Sequence, residues 1–265
     1  MKTVRVEDVG GVRWVTMDRP SKRNALVPEM QDELIAALHG AEAAGARVVV
    51  LTGEGEAFCS GLDLSVLKKM QERTPEEHRI AADHVARMFK AVWECDVPTI
   101  AMVNRAAIAG GTGLAMFCDF TIASTEALFG FTEVKIGFVP ALVGAYLSVL
   151  VGDKVARGLL LSGRKFNADE ALRLGLVNEV VLLDQLHDRV QNLASELMEN
   201  SPESLKATKK LLRMQLAGTW KLRWHWLLKR TGHRVRRRIF ARVWRRSWKS
   251  VSRCGNAHSR RSKGR

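Results

Sequence analysis

No run of about 18 apolar residues occurs in this chain, so the sequence offers no membrane-spanning helix. It also lacks the apolar centre of a signal peptide: the start, Met1-Lys2-Thr3-Val4-Arg5-Val6, alternates like a strand. The four cysteines, Cys59, Cys95, Cys118 and Cys254, show no paired spacing. Without an export signal they read as reduced thiols, and a cytoplasmic protein is expected. The seven histidines are scattered and none pairs at metal-ligand spacing, so no metal site is expected. What remains is 265 residues, enough to bury a sizeable core in one large domain with at most a small appendage.

Acidic residues are missing from one region only. Residues 218–265 hold 17 of the 42 Lys and Arg and no Asp or Glu, which leaves 25 basic against 28 acidic residues in 1–217. The net charge of +14 therefore belongs to the tail. Five of the seven tryptophans lie there too: Trp220, Trp224, Trp226, Trp244 and Trp248. Interleaved Trp and Arg suit nucleic acid or anionic lipid. The genetic code offers another reading. Residues 239–255, IFARVWRRSWKSVSRCG, admit codons that read DFREGLAKVLEERKPVW when started one nucleotide earlier. Trp220 to Arg230 can be read in the same way as EAALALAAEAN. Both are helix-forming, and the first is amphipathic with a proline stop. A shifted reading frame beginning near residues 214–219 is the expectation. The tail's charge then says nothing about partners, and neither a nucleic acid nor a membrane is expected as one.

Residues 1–217 alternate strands and helices, which indicates an α/β fold. Two β-like runs flank Gly10-Gly11 within Val4–Met17, a hairpin signal. Met30, Leu34 and Leu38 share one face of a helix over 28–43. RVVVLT at 47–52 is a buried strand. A helix over 76–95 is expected to turn Ile80, Val85, Met88, Phe89 and Val92 inward. Strands follow at Thr99–Val103 and Phe120–Ala123, with a helix from Gly110-Gly111 through Phe117 between them. Helices at 142–151, 154–161 and 168–174 lead to a strand over Gly175–Val181. No internal sequence repeat is visible.

Two glycine-containing turns follow buried strands: Gly53 through Leu64, and Asn104 through Gly113. In each a strand ends, the backbone turns sharply and a helix begins. Glycine permits close backbone approach and positive φ, and the unpaired N–H groups of a helix start can receive negative charge. Two such groups converging on one point make an oxyanion hole, each donor contributing about 3–4 kcal/mol to a transition state. Alone, such turns serve tight packing as readily. Neither contains a phosphate-loop or dinucleotide-binding pattern. Glu133 lies among Phe129, Phe131, Val134 and Ile136, where burial raises a carboxyl pKa toward an acid/base range. On the residues alone, a surface glutamate paired with Lys135 is the more ordinary reading. Asp63 reads as a local cap or turn residue.

Five segments, in order, resemble the crotonase (enoyl-CoA hydratase/isomerase) family. They are Asp18–Leu26 (DRPSKRNAL), Leu51–Leu64, Ala107–Ala123, Phe129–Pro140 and Ala168–Val177, spread over about residues 10–215. The resemblance implies a ββα-spiral core over 1–195. A helical C-terminal region begins at 196–217 and serves oligomerisation, followed by the basic tail at 218–265. It implies an acyl-CoA substrate whose thioester carbonyl is polarised by the N–H groups of Leu62 and Gly110. It also implies backbone contacts to the CoA adenine around Ala25, Ser60 and Leu64, and further substrate contacts at Gly61, Gly111, Gly113 and Pro140. No cofactor is implied, because coenzyme A is part of the substrate. Assembly as a homotrimer or a dimer of trimers is implied for an intact C-terminus.

Family hydratases commonly use two glutamates. Glu133 matches the second, whereas the first falls on Gly113, which has no side chain. Hydration of a 2-enoyl-CoA, in the manner of methylglutaconyl-CoA hydratases, is the expected reaction. A double-bond isomerase with Glu133 as its single acid/base is the alternative, and a non-catalytic tail-mediated binder is a third reading. Smaller departures from the pattern are Arg105 for a turn glycine, Ala109 for the first glycine of a triplet and Ala141 for glycine.

Overall fold

The computed structural model describes residues 2–70 and 74–215. The basic tail, and with it the shifted-frame reading, lies outside these residues. Strands β1 (Val4–Val9) and β2 (Val12–Met17) form the expected hairpin, with Gly10 and Gly11 at φ 57° and 83°. Two successive positive-φ residues give a turn whose twist matches that of the strands it joins. Pro28 opens helix α1 (Pro28–His39), where its missing N–H has no helical partner to lose. The α1 face carrying Met30, Leu34, Ala37 and Leu38 is buried. Glu33 on α1 accepts the N–H groups of Thr3 and Val4 at 2.8 and 2.7 Å and so pins the first strand to the helix.

From there the chain repeats one move three times: a long strand, a three-residue strand, then helix. The first turn is β3 (Val48–Gly53), β4 (Ala57–Cys59), α2 (Leu64–Met70) and α3 (Pro75–Glu94). The second is β5 (Thr99–Val103), β6 (Ala106–Ile108) and α4 (Gly110–Phe117). The third is β7 (Phe120–Ser124), β8 (Leu128–Gly130), α5 (Ala141–Val151) and α6 (Asp153–Ser162). Then follow β9 (Lys165–Asn167), α7 (Ala168–Arg173), β10 (Glu179–Val181), α8 (Leu186–Met198) and a helix over 202–215, α9. Each turn donates one strand to each of two sheets. The orders are β1-β2-β3-β5-β7-β10 and β4-β6-β8-β9, with β3, β5 and β7 parallel in the first and β4, β6 and β8 parallel in the second. This is the expected α/β spiral, a structural repeat that the sequence does not advertise.

The first sheet is covered on both faces, so its central strands are continuously apolar. In β3, Val49 and Leu51 face the main core with Phe58, Phe89 and Leu114, while Val48 and Val50 face Val190, Leu193 and Leu197 of α8. Helix α9 is held through buried Lys209, which donates to Val97 O at 2.8 Å and pairs with Asp119. Arg213 adds an ion pair with Asp96 at 3.0 Å.

Three expectations change. Ile80 is 55% exposed, because the first turns of α3 stand clear of the core that Met88, Phe89 and Val92 enter. The strand expected over Gly175–Val181 is confined to Glu179–Val181, since Leu174 and Gly175 still bond back to α7 and Leu176 bonds back to Ala171. Strands β4 and β6 of the second sheet lie inside the two glycine-containing turns, and β8 and β9 lie in segments for which the sequence suggests no element. Three of the cysteines, Cys59, Cys95 and Cys118, are buried free thiols as expected. No helix among the described residues is long and apolar enough to cross a membrane, and no described cluster of His, Cys, Asp or Glu could hold a metal ion.

Candidate active site

Strands β4, β6 and β8 are parallel neighbours, so their C-terminal ends share one edge of the second sheet. Three segments leave that edge together: Ser60-Gly61-Leu62 after β4, Ala109-Gly110 after β6, and Phe131-Thr132-Glu133 after β8. The ends of parallel strands are where α/β proteins collect binding residues.

Gly61 and Gly110 meet there. A Cβ on Gly61 (φ 80°) would lie 3.0 Å from Ile108 O, 3.1 Å from Ala109 Cβ and 3.3 Å from Gly110 N. The direction of the Leu62 N–H follows from its neighbours. Leu26 N–H donates to Gly61 O at 2.8 Å and Asp63 N–H donates to Leu26 O at 2.9 Å, a parallel bridge across Leu62. In such a bridge the flanking groups face the partner strand, and the central residue's own N–H faces away from it. The residue before Leu62, Gly61, is the one that packs against the start of α4. Gly110 is the first residue of α4, and the first helical bond there is Gly113 N–H to Ala109 O at 3.1 Å. The preceding N–H groups of the helix have no intrahelical acceptor.

Backbone crowding sets this turn. A Cβ on Gly111 would lie 2.1 Å from Cys59 O, which presses the first turn of α4 onto the end of β4. Ala109 adopts φ 54°, ψ −118°, a conformation that suits glycine, and its N–H donates to Gly130 O at 2.7 Å. Sequence reasoning missed Thr112. Its buried hydroxyl donates to Ala107 O at 2.6 Å and accepts the Gly130 N–H at 3.2 Å. A threonine following Gly-Gly carried no signal of this.

Glu133 opens a 3-10 turn over Glu133–Ile136. Its Oε2 is buried without a hydrogen-bond partner, and burial pushes the carboxyl up to about 7 from its ordinary 4.5. There is no pair with exposed Lys135. Opposite the missing first glutamate there is no vacant space: a Cβ on Gly113 would lie 2.8 Å from Val143 Cγ2 and 3.0 Å from the Phe89 ring. Pro140 caps α5, the helix that carries Val143.

Of the other predicted residues, Ser60 and Ala25 are joined through the Arg19–Ala25 loop. Ser60 N–H donates to Arg23 O at 3.0 Å, and buried Ala25 offers its carbonyl to the Arg19 guanidinium. Buried Asn24, at φ 52°, donates to Ala57 O at 2.7 Å and accepts the Arg19 N–H at 2.8 Å, locking this loop to the entry of β4. Leu64 is the exposed first residue of α2. Asp63 is a cap, as read from the sequence: it accepts the Ser65 N–H and hydroxyl at 2.9 and 2.8 Å and pairs with Arg19 at 3.1 Å. Burial pushes its carboxyl up, but the bonds from Ser65 and Arg19 outweigh that and leave it below the usual range. Arg105 is an outward-facing residue held between Glu126 (2.9 Å) and Glu56 (3.2 Å).

A helix start with free N–H groups and a raised carboxyl thus follow strands that end on one sheet edge, the kinds of group used by reactions that place negative charge on an oxygen and move a proton. The enoyl-CoA hydratase/isomerase family profile matches residues 7–223, and the chain belongs to that family. It is 45% identical over 210 residues to a Thermus thermophilus protein that carries the name enoyl-CoA hydratase, covering 79% of this chain and 83% of that one. It is 36% identical over 225 residues to the hydroxycinnamoyl-CoA hydratase-lyase of Pseudomonas fluorescens, covering 83% and 81%. Among solved structures, an enoyl-CoA hydratase/isomerase from Xanthobacter autotrophicus Py2 superposes with a TM-score of 0.85 at 30% identity, covering 97% of this chain and 98% of that one.

Proposed function

We propose that this chain hydrates a 2-enoyl-CoA thioester, with Glu133 as its only carboxyl acid/base and the Leu62 and Gly110 N–H groups as oxyanion donors. The observation that carries this reading is the buried Glu133 Oε2, without a hydrogen-bond partner, following a strand that ends on the same sheet edge as the Gly61–Gly110 contact. The Glu133 carboxylate takes a proton from water as the water oxygen bonds to C3. Electrons move through C2 to the thioester oxygen, where the two N–H groups hold the enolate charge. Glu133 then returns the proton to C2, so one water is added and the enzyme is unchanged. The backbone around Ala25, Ser60 and Leu64 takes the adenine end of coenzyme A. Hydration is among the activities in the names of the Thermus and Pseudomonas relatives.

The filled space at Gly113 favours a second reading, double-bond isomerisation, in which Glu133 removes a C2 proton from a 3-enoyl-CoA and returns it at C4. Product masses from 2-enoyl- and 3-enoyl-CoA panels separate the two. Gain of one water on a 2-enoyl-CoA, lost in Glu133→Gln, supports hydration. An unchanged mass with a moved double bond selects isomerisation. Sequencing the coding DNA across residues 214–265 tests the tail separately: the helical peptide must stand in the adjacent frame.

A further inference from the structure

We propose that Thr112 is a positioning residue that sets the Gly110 oxyanion donor relative to the strand carrying Glu133; this rests on the function proposed above. Thr112 lies on the first turn of α4, two residues after Gly110. The residue is 2% exposed, and its hydroxyl ties three elements together. It donates to Ala107 O of β6 at 2.6 Å and accepts the Gly130 N–H of β8 at 3.2 Å. The Gly130 carbonyl, 3.2 Å from the same oxygen, takes the Ala109 N–H at 2.7 Å. A hydroxyl has one proton, and the shorter contact assigns it to Ala107. One oxygen thus fixes the start of α4, the end of β6 and the end of β8, three residues before Glu133.

The geometry matters because enolate stabilisation needs the donor and the carboxyl held around one acyl group at the same time. The Ala109–Gly130 backbone bond joins the helix cap to β8, and Thr112 adds the side chain that ties the first turn of α4 to both β6 and β8. Gly110, Gly111 and Gly113 have no side chains to anchor the turn, and Ala109 holds a positive φ that its own Cβ opposes. Removing the hydroxyl leaves two buried backbone groups without that partner, so the turn drifts away from β8.

The test uses full-length wild type, Thr112→Val, Thr112→Ser and Glu133→Gln. Turnover is measured on the 2-enoyl-CoA panel. Polarisation is measured on the Glu133→Gln background from the long-wavelength shift of bound cinnamoyl-CoA, whose band reports carbonyl polarisation without turnover. Thr112→Val is expected to lower kcat about 10–100-fold, as small misplacements in active sites do. KM should stay nearly constant and the band shift should fall with kcat, with Thr112→Ser restoring both. If the valine variant does not fold, Thr112→Cys, a weaker partner of similar size, is expected to give intermediate values. A full band shift and full kcat in Thr112→Val would overturn the role of Thr112 alone. A loss tracking only the folded fraction, without rescue by serine, would do the same. No band shift with Thr112 intact would instead remove the oxyanion site, and the function proposed from it.

Discussion

The two sheets divide the work of this molecule. The first has strands of five or six residues at its centre, with β3 buried at every position, and its register runs unbroken from Val12↔Val48 to Met17↔Gly53. The second is built from strands of three residues and shifts register between Ala57 and Cys59. The long sheet supplies buried apolar area, the main source of stability. The short one supplies little area but delivers three backbone segments to one edge. Damage to the first should therefore cost folding, and damage to the second should cost geometry before folding.

The largest expected effect breaks that division. Gly111→Ala puts a Cβ 2.1 Å from Cys59 O, backbone against backbone, so β4 and α4 must separate. We expect a loss of more than about 3 kcal/mol in urea unfolding, together with loss of activity, because the short sheet has no slack at this one point. Survival of full stability would show that the two elements are less tightly apposed.

Glu133 sharpens the comparison through pH. Its carboxyl is raised from 4.5 to about 7, so between those values the folded state holds a proton that the unfolded state releases. Stability must then fall as pH rises through this window. Glu133→Gln should match wild type below the window and be more stable above pH 7, by about 3 kcal/mol at most. Wild-type kcat/KM should decline below about pH 7, where the carboxylate is lost. Parallel stability curves for the two proteins would place Glu133 in water.

Ala109→Gly should stabilise by about 1 kcal/mol, read as a higher Tm, because glycine relieves the positive φ at the helix start. The gain is reduced by the greater freedom of glycine in the unfolded chain. Arg105→Ala is expected to be smallest, within about 0.5 kcal/mol and without effect on KM, since its ion pairs are partly exposed. A rise in KM would move Arg105 from the surface to the substrate.

Much of the first sheet was legible in the sequence. Continuous apolar runs such as VVVL, and the Gly10-Gly11 turn, are local signals that long strands and hairpins need. The second sheet was not legible, because three residues are too few to show a period of two, and its strands gain their identity from neighbours far away in the chain. Glu133 was found from its apolar surroundings and a family resemblance, and the structure places it at the same edge as Leu62 and Gly110. Thr112 could not be found, since its partners, Ala107 and Gly130, become neighbours only when the second and third turns of the spiral stack.

By itself the sequence determined the α/β class, the helices with a clear apolar face, the confinement of the excess positive charge to residues 218–265 and the glycine turns worth watching. These are properties of short windows, governed by period, composition and backbone freedom. The tertiary structure decided that Gly61 would lie against Gly110, that Phe89 and Val143 would close the space beside Gly113, that Arg105 would turn outward between two glutamates, and that the Oε2 of Glu133 would be buried without a hydrogen-bond partner. Each depends on segments tens of residues apart, brought into contact by burial of the first sheet, and no local pattern records such a contact.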